Sequence, residues 1–306
     1  MTGAAYRKLT THEIARFVAR GYLMFPALTP PELSERYRAE STTGTVPEVP
    51  AGTPLAEAYT EGTALHGLVH DPAVRGILDS LVGAGPVVDH HFVHLTLGRS
   101  EREAHGMHRP FPAQHWHQDS TIDTRAGFDV QIMWYPHEVT REMGGTRFLP
   151  GSHLRIVSEA AIGRYQNIRG QRHVVCPAGS LLVLHHGLWH GGGSNSSATT
   201  RHMVKIRLHP TVAQRRLWDL ADLTDADRAQ RPIFFRPTPR AEGDLHDILC
   251  EYQPWYEADT ARLEFVNRVR LFRYLLDDDT FDADYWLTRL EYPPERRYEG
   301  AVRRPD

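Results

Sequence analysis

"HVVCPAGSLLVLHHGLWHGGG", residues 173–193, is an apolar run framed by Pro177 and Gly179 on one side and a glycine triplet on the other, with His190 just before the triplet. "SLLVL" has the length and branched side chains of a buried strand, and the glycines mark the turns at its ends. Reading outward, "PVVDHHFVHLTLG", "FDVQIMWYPHEV", "GTRFLPGSH" and "RHMVKIRLHP" are runs of the same kind, short, β-branched and aromatic, cut by Gly and Pro. Successive short strands with little helix between them predict a sandwich or barrel and argue against alternating βαβ units. The expected fold is mainly β with flanking helices, its core a cupin-like jelly roll over about residues 86–210.

The flanks read differently. In "TTHEIARFVARGYLMFPAL", residues 10–28, Ile14, Phe17 and Val18 follow a helical period that Gly21 ends, and a short strand comes next. A second helix is expected around "LSERYRAEST", and the Pro-, Gly- and Thr-rich stretch 42–54 has the composition of a surface loop able to act as a lid. Beyond residue 210, "ADTARLEFVNRVRLFRYLLDDD" places Leu263, Val266, Val269, Phe272 and Leu276 on the expected apolar face of a helix packed outside the sheet. No internal repeat stands out. The simplest organisation is one domain, 1–306, with a helical region 1–85, the jelly-roll core, and a helical and aromatic extension 211–306.

Bulk properties narrow the function. The chain has 306 residues, 41 % of them hydrophobic, and a formal net charge of -3. That is ample material for a core, with no long-range pull toward nucleic acid or anionic lipid. No apolar run approaches the roughly 20 residues that span a bilayer, and the N-terminus lacks the pattern of a signal peptide, so a cytoplasmic protein is expected. Cys176 and Cys250 are the only cysteines and lack CxxC spacing, which argues against a disulfide framework or a thiolate metal site.

The chemistry concentrates in "QHWHQDST", residues 114–121. On an extended chain His115, His117 and Asp119 share one face, and Trp116 and Gln118 share the other. His190, at the end of the apolar strand, is the candidate third ligand beside His117 and Asp119. Two histidines and a carboxylate with positions left open form the facial triad of non-haem Fe(II) oxygenases. Arg201 heads the next strand, 11 positions after His190, where a guanidinium can grip a dicarboxylate from two sides.

These motifs, in this order, resemble the phytanoyl-CoA dioxygenase-like branch of the Fe(II)/2-oxoglutarate oxygenases. The resemblance runs from "FVARGYLMFPALTPPEL" through "HWHQD", "GGTRFLPGSH" and "PAGSLLVLHHGLWHGGGSN" to Arg201. It implies a double-stranded β-helix, Fe(II) on His117, Asp119 and His190, and the distal carboxylate of 2-oxoglutarate on Arg201. It also implies use of O2, with 2-oxoglutarate cleaved to succinate and CO2 to generate an oxidant for a C–H bond. Trp134 and Tyr135 fall where an aromatic borders the co-substrate in relatives. Relatives often carry a hydroxyl two positions after the distal histidine; this chain has Gly192, with Ser194 or a nearby threonine as the replacement. Retention of Asp119 favours hydroxylation over halogenation, because halogenating relatives exchange this carboxylate for a small residue.

The remaining histidines divide by position. His115 is a candidate substrate contact, as are His105 and His108 in the segment "SEREAHGMHRPFPAQ", which also carries Met107 and Arg109; Arg147 joins them if it faces inward. His153, His185 and His186 read as structural, and His90, His91 and His94 as strand residues able to line the barrel mouth. The expected substrate is a free small molecule, a secondary-metabolite intermediate, with an acyl-CoA as the alternative. Desaturation, ring closure and epimerisation use the same oxidant and stay open, as does oligomeric state. Two other classes compete, a jelly-roll protein that binds Zn(II) without oxidation and a 2-oxoglutarate sensor. Arg201 counts against the first.

Overall fold

The computed structural model describes residues 5–42, 48–119, 127–155, 167–228, 245–256 and 261–281. Chain order begins with helix α1 (Thr11–Arg20), strand β1 (Tyr22–Phe25), α2 (Pro31–Thr42), a single 3-10 turn (Leu55–Glu57), α3 (Ala64–His70) and α4 (Pro72–Leu81). Strand β2 (Val87–Thr96), α5 (Arg99–Ala104), β3 (Val130–Tyr135), β4 (Arg147–Phe148), β5 (Arg172–His173), β6 (Ser180–His185), β7 (His190–Gly191) and β8 (Arg201–His209) follow. Three helices close the described chain: α6 (Asp225–Arg228), α7 (Leu245–Leu249) and α8 (Ala261–Leu276).

α1 starts where its sequence demands. Thr10 accepts from the Glu13 amide while the Glu13 carboxylate accepts from the Thr10 amide, a capping box that contributes about 1 kcal/mol. Gly21 ends the helix in the left-handed region at φ 77°, and β1 begins at the next residue. A Cβ at Gly21 would stand 2.6 Å from His153 Nδ1, so both conformation and space require glycine there.

Two antiparallel sheets form the core, one in the order β1-β6-β3-β8-β2 and one in the order β5-β4-β7. β3 and β6 are buried at every position because both their faces are covered. On one face Val130, Ile132, Trp134, Leu181, Val183, Val204, Ile206 and Leu208 pack with side chains of α1, α3 and α4. On the other, Met133, Tyr135, Leu182, Leu184 and Met203 meet Phe148 of the smaller sheet. The architecture is the jelly roll with outer helices that the strand pattern predicts, the double-stranded β-helix that the resemblance implies. The N-terminal region adds more than helices, since β1 pairs with β6 along its full length.

One expectation changes, the face given to Leu263. Leu263 is 63 % exposed, whereas Val266, Val269, Leu271, Phe272, Leu275 and Leu276 are buried. Steps of three residues precess by about 60° per turn on a helix of 3.6 residues, so Leu263 ends up opposite Phe272. Residues 99–104 form α5, pinned by Arg102, whose Nη1 donates to the carbonyls of Leu97 (2.7 Å) and Asn195 (2.9 Å). The proposed lid 42–54 falls partly on residues 43–47, outside the described set; its far end is tied down by a bridge between Pro54 and Val87. Both cysteines are free, and no described helix is long and apolar enough to cross a membrane.

Candidate metal and co-substrate centre

The segment carrying His117 lies beside β7 through a two-way backbone bridge, His117 N to His190 O at 3.1 Å and the reverse at 3.0 Å. This bridge sets the two imidazoles side by side, ring centroids 4.4 Å apart. His117 Nδ1 donates to the His115 carbonyl (3.1 Å) and His190 Nδ1 to the Leu188 carbonyl (2.9 Å). With Nδ1 carrying the proton, Nε2 of each ring is a bare lone pair, the tautomer that a metal needs. Asp119 Oδ1 stands 3.4 Å from His117 Nε2 and 3.9 Å from His190 Nε2. The three donor atoms lie within 4.8 Å of one another, so the set could hold one metal ion.

Alternation directs the intervening residues outward. Trp116 is fully buried with Leu149 and Trp189, and Gln118 Nε2 donates to the carbonyls of Gly187 (2.6 Å) and Arg155 (3.0 Å). Burial acts to raise the Asp119 carboxyl, but with both imidazoles neutral the Lys205 ammonium at 2.7 Å opposes burial, and the carboxyl is held below the usual carboxylate range. Burial pushes the His190 imidazole down to about 3. Both groups are thus in the ligand-competent, deprotonated state at neutral pH.

His117 and His190 line a cavity of about 230 Å³, together with Arg201, Thr96, Thr146, Met133, Met203, His94 and Lys205. Arg201 is 3 % exposed. Its Nη1 donates to the carbonyls of Met143 and Gly144, and Nη2 donates to Thr96 Oγ1 at 2.8 Å. Nε finds no partner among the described residues, which leaves it and one Nη2 proton for a carboxylate.

The other expected contacts fall in several places. Tyr135 faces the sheet interior, its hydroxyl donating to Thr146 Oγ1 at 2.9 Å. Trp134 is a correction: strand alternation turns it to the helix side, where Nε1 donates to Thr29 Oγ1 at 3.0 Å and the ring meets Tyr37 edge-on. Ser194 donates to the Phe111 carbonyl and is not among the cavity-lining residues; the threonines that line the cavity are Thr96, which accepts from Arg201, and Thr146. His105 and His108 are exposed and away from the cavity, which their segment reaches through Phe111, Pro112 and Gln114. Arg147 faces inward but braces the wall, its Nη2 on the Gln114 carbonyl at 2.6 Å and its guanidinium over the Trp116 ring. His115 contributes its carbonyl to His117, with its ring 5.5 Å from that of His117.

His153 and His185 are buried against α1, with His153 Nε2 on the Val18 carbonyl, in keeping with structural roles. Sequence reading passed over Gln114 and Lys205. Lys205 had a readable signal, since it is one of two lysines in the chain and lies in strand phase with Arg201 and Met203.

The glycine triplet divides by steric need. A Cβ at Gly191 would approach the His115 carbonyl oxygen to 2.8 Å and one at Gly193 the Gly144 carbonyl oxygen to 2.5 Å, so these two are required. At Gly192 the nearest atoms are Gln114 Oε1 at 3.5 Å and Arg201 Nη2 at 3.8 Å, ordinary contact distances. Gly192→Ser is therefore expected to fold normally and to bind 2-oxoglutarate about threefold to tenfold more tightly, one added hydrogen bond's worth. Calorimetric titration of the metal-loaded variant would read this, and weaker binding would show that the Gln114 carboxamide already fills the role.

The phytanoyl-CoA dioxygenase (PhyH) family model matches residues 17–203, well over half of the chain. An uncharacterized protein of Mycobacterium tuberculosis is 33 % identical over 134 residues, 44 % of this chain and 47 % of that one. Dioxygenase andF of Emericella variicolor is 27 % identical over 118 residues, 39 % of each chain. The chain thus matches less than half the length of these curated relatives. Among solved structures, the non-heme alpha ketoglutarate dependent carbocyclase SnoK from nogalamycin biosynthesis superposes with a TM-score of 0.51 at 18 % identity, covering 70 % of this chain and 88 % of that one. HygX from Streptomyces hygroscopicus with iron bound superposes with a TM-score of 0.51 at 15 % identity, covering 67 % and 88 %. These likenesses bear on the fold, and the family match bears on descent: the chain belongs to the phytanoyl-CoA dioxygenase family, whose cofactors are Fe(II) and 2-oxoglutarate.

Proposed function

We propose that this protein is an Fe(II)- and 2-oxoglutarate-dependent oxygenase that hydroxylates an unactivated C–H bond of a free small molecule, an intermediate of secondary metabolism. The observation that carries the reading is that His117 and His190, with the Asp119 carboxylate against them, share one cavity with a buried, partly unpartnered guanidinium. His117, Asp119 and His190 would hold the iron, and Arg201 would take the far carboxylate of 2-oxoglutarate. Iron with 2-oxoglutarate and O2 supplies an oxidant able to remove hydrogen from carbon, with release of succinate and CO2. The chain's own part is to aim the bond and keep water out, through the apolar Met133, Met203 and Pro112 around the donors.

The described cavity wall favours a free substrate over a CoA thioester. Its two cationic side chains are Arg201 and Lys205, and Lys205 is paired with Asp119. Large apolar groups stand exposed around the opening: Leu95 and Phe111 on the wall, and Phe92, whose ring lies 5.8 Å from that of His94. Such a mouth suits an apolar molecular body better than a run of phosphates. The same oxidant serves desaturation, ring closure and epimerisation; retention of Asp119 supports hydroxylation over halogenation.

The test is anaerobic addition of Fe(II) and then 2-oxoglutarate to metal-free protein, watching for the weak visible charge-transfer band of a chelated 2-oxo acid. The band is expected in the wild type and absent in His117→Ala. Arg201→Ala should need roughly 10- to 100-fold more 2-oxoglutarate to develop it, the loss of charge-assisted hydrogen bonds. No band from folded, metal-loaded wild type would turn the reading to a non-oxidative zinc protein.

A further inference from the structure

Asp119 is gripped from two sides. Oδ1 faces the histidine pair, and Oδ2 lies 2.7 Å from Lys205 Nζ. Lys205 sits on β8 between two hydrogen-bonded neighbours, opposite Phe92 of β2 and Met133 of β3. Its backbone therefore cannot drift. Its side chain is 9 % exposed, and Asp119 Oδ2 is the acceptor that its ammonium reaches among the described residues. A buried ammonium does not leave its carboxylate without a large desolvation cost. A carboxylate, for its part, can bind a metal through one oxygen or through both.

We propose that Lys205 is a positioning residue of the metal centre: by holding Asp119 Oδ2 it restricts this ligand to one donor oxygen and keeps a coordination position open toward the cavity. The inference rests on the metal and co-substrate reading above. Three protein donors leave an octahedral ion three free positions, two for the 2-oxo acid and one for dioxygen. A chelating Asp119 would take one of them. The compact lysine ammonium suits this task because it binds a single oxygen as a point charge. The opposing view is that Lys205 only fills space or balances the charge of a buried carboxylate.

Cobalt(II) separates the views without turnover, because its visible bands report coordination number. Metal-free wild type, Lys205→Met and Lys205→Arg would each be titrated with Co(II) and then with 2-oxoglutarate, after confirming thermal unfolding transitions. In Lys205→Met the freed carboxylate should chelate: Co(II) binds about tenfold more tightly, the bands change shape, and 2-oxoglutarate binds at least about tenfold more weakly. Lys205→Arg keeps the charge but presents a fork that can take both carboxylate oxygens, so a charge-balancing role predicts wild-type Co(II) behaviour for it, whereas a positioning role predicts weaker Co(II) binding and altered bands. Methionine matches lysine in length, so a space-filling role predicts a wild-type spectrum for Lys205→Met. That spectrum, with unchanged 2-oxoglutarate affinity, would overturn the proposal. A wild type whose Co(II) bands are insensitive to 2-oxoglutarate, or identical to those of Asp119→Ala, would instead overturn the underlying site assignment and this proposal with it.

Discussion

Asp119→Ala is expected to lower substrate-dependent turnover of 2-oxoglutarate at least about a thousandfold, because the loss of even an outer-shell partner of a metal ligand costs roughly 10- to 100-fold. The same variant should also be less stable in its metal-free form. Removing Asp119 leaves the Lys205 ammonium buried with no described acceptor, and breaking such a pair costs about 3 kcal/mol. The two effects come from different causes and can be pulled apart. In Asp119→Ala/Lys205→Met the stranded charge is gone, so most of the stability returns while turnover stays lost. Urea midpoints beside turnover rates would test this. Full activity in the single variant would remove Asp119 from the site, and an unstable double variant would show that the carboxylate supports the fold through something other than Lys205.

Acid should weaken the metal-free protein well above the range where carboxylates titrate. His153 is buried with its imidazole pushed down to about 3, by burial first and by the nearby Arg268 charge next, against the opposing effect of the Val18 carbonyl. His185 is pushed well below its ordinary value, again mainly by burial and then by the neighbouring His153 and His186. For a base with a depressed folded pKa, the unfolded chain binds the proton first. Stability is therefore complete above about 6.5 and falls as the pH drops from there toward the folded value. Each such histidine steepens the fall by up to about 1.4 kcal/mol per pH unit. Metal ligation would remove His190 from this set, so a chelator belongs in the buffer. Urea unfolding at pH 7, 6 and 5 should show the midpoint descending, and His153→Gln should lose one proton's worth of slope whatever its absolute stability. A flat profile between pH 6.5 and 4.5 would mean that these histidines reach solvent.

The C-terminal helix shows one limit of reading structure from sequence. Spacing alone gave Leu263 to the buried face, and helix geometry takes it away again by slow precession. Trp134 shows another. That neighbouring strand residues face opposite ways is legible in any sequence, but which way is inward depends on what covers each face. Here the N-terminal helices cover the Trp134 side and the small sheet the Tyr135 side.

By itself the sequence determined the class of fold, because strand length, branched residues and turn glycines are local properties. It also singled out His117, Asp119, His190 and Arg201, whose residue types and spacing have few other uses together. Only the tertiary structure decided what stands between them. The bridge that orients both imidazoles, the pairing of Lys205 with Asp119 across 86 residues of chain, and the bond from Arg201 to Thr96 all join distant segments. Such contacts follow from how two sheets close on one another, and no local pattern encodes the distance between residues that the chain brings together only when its core is packed.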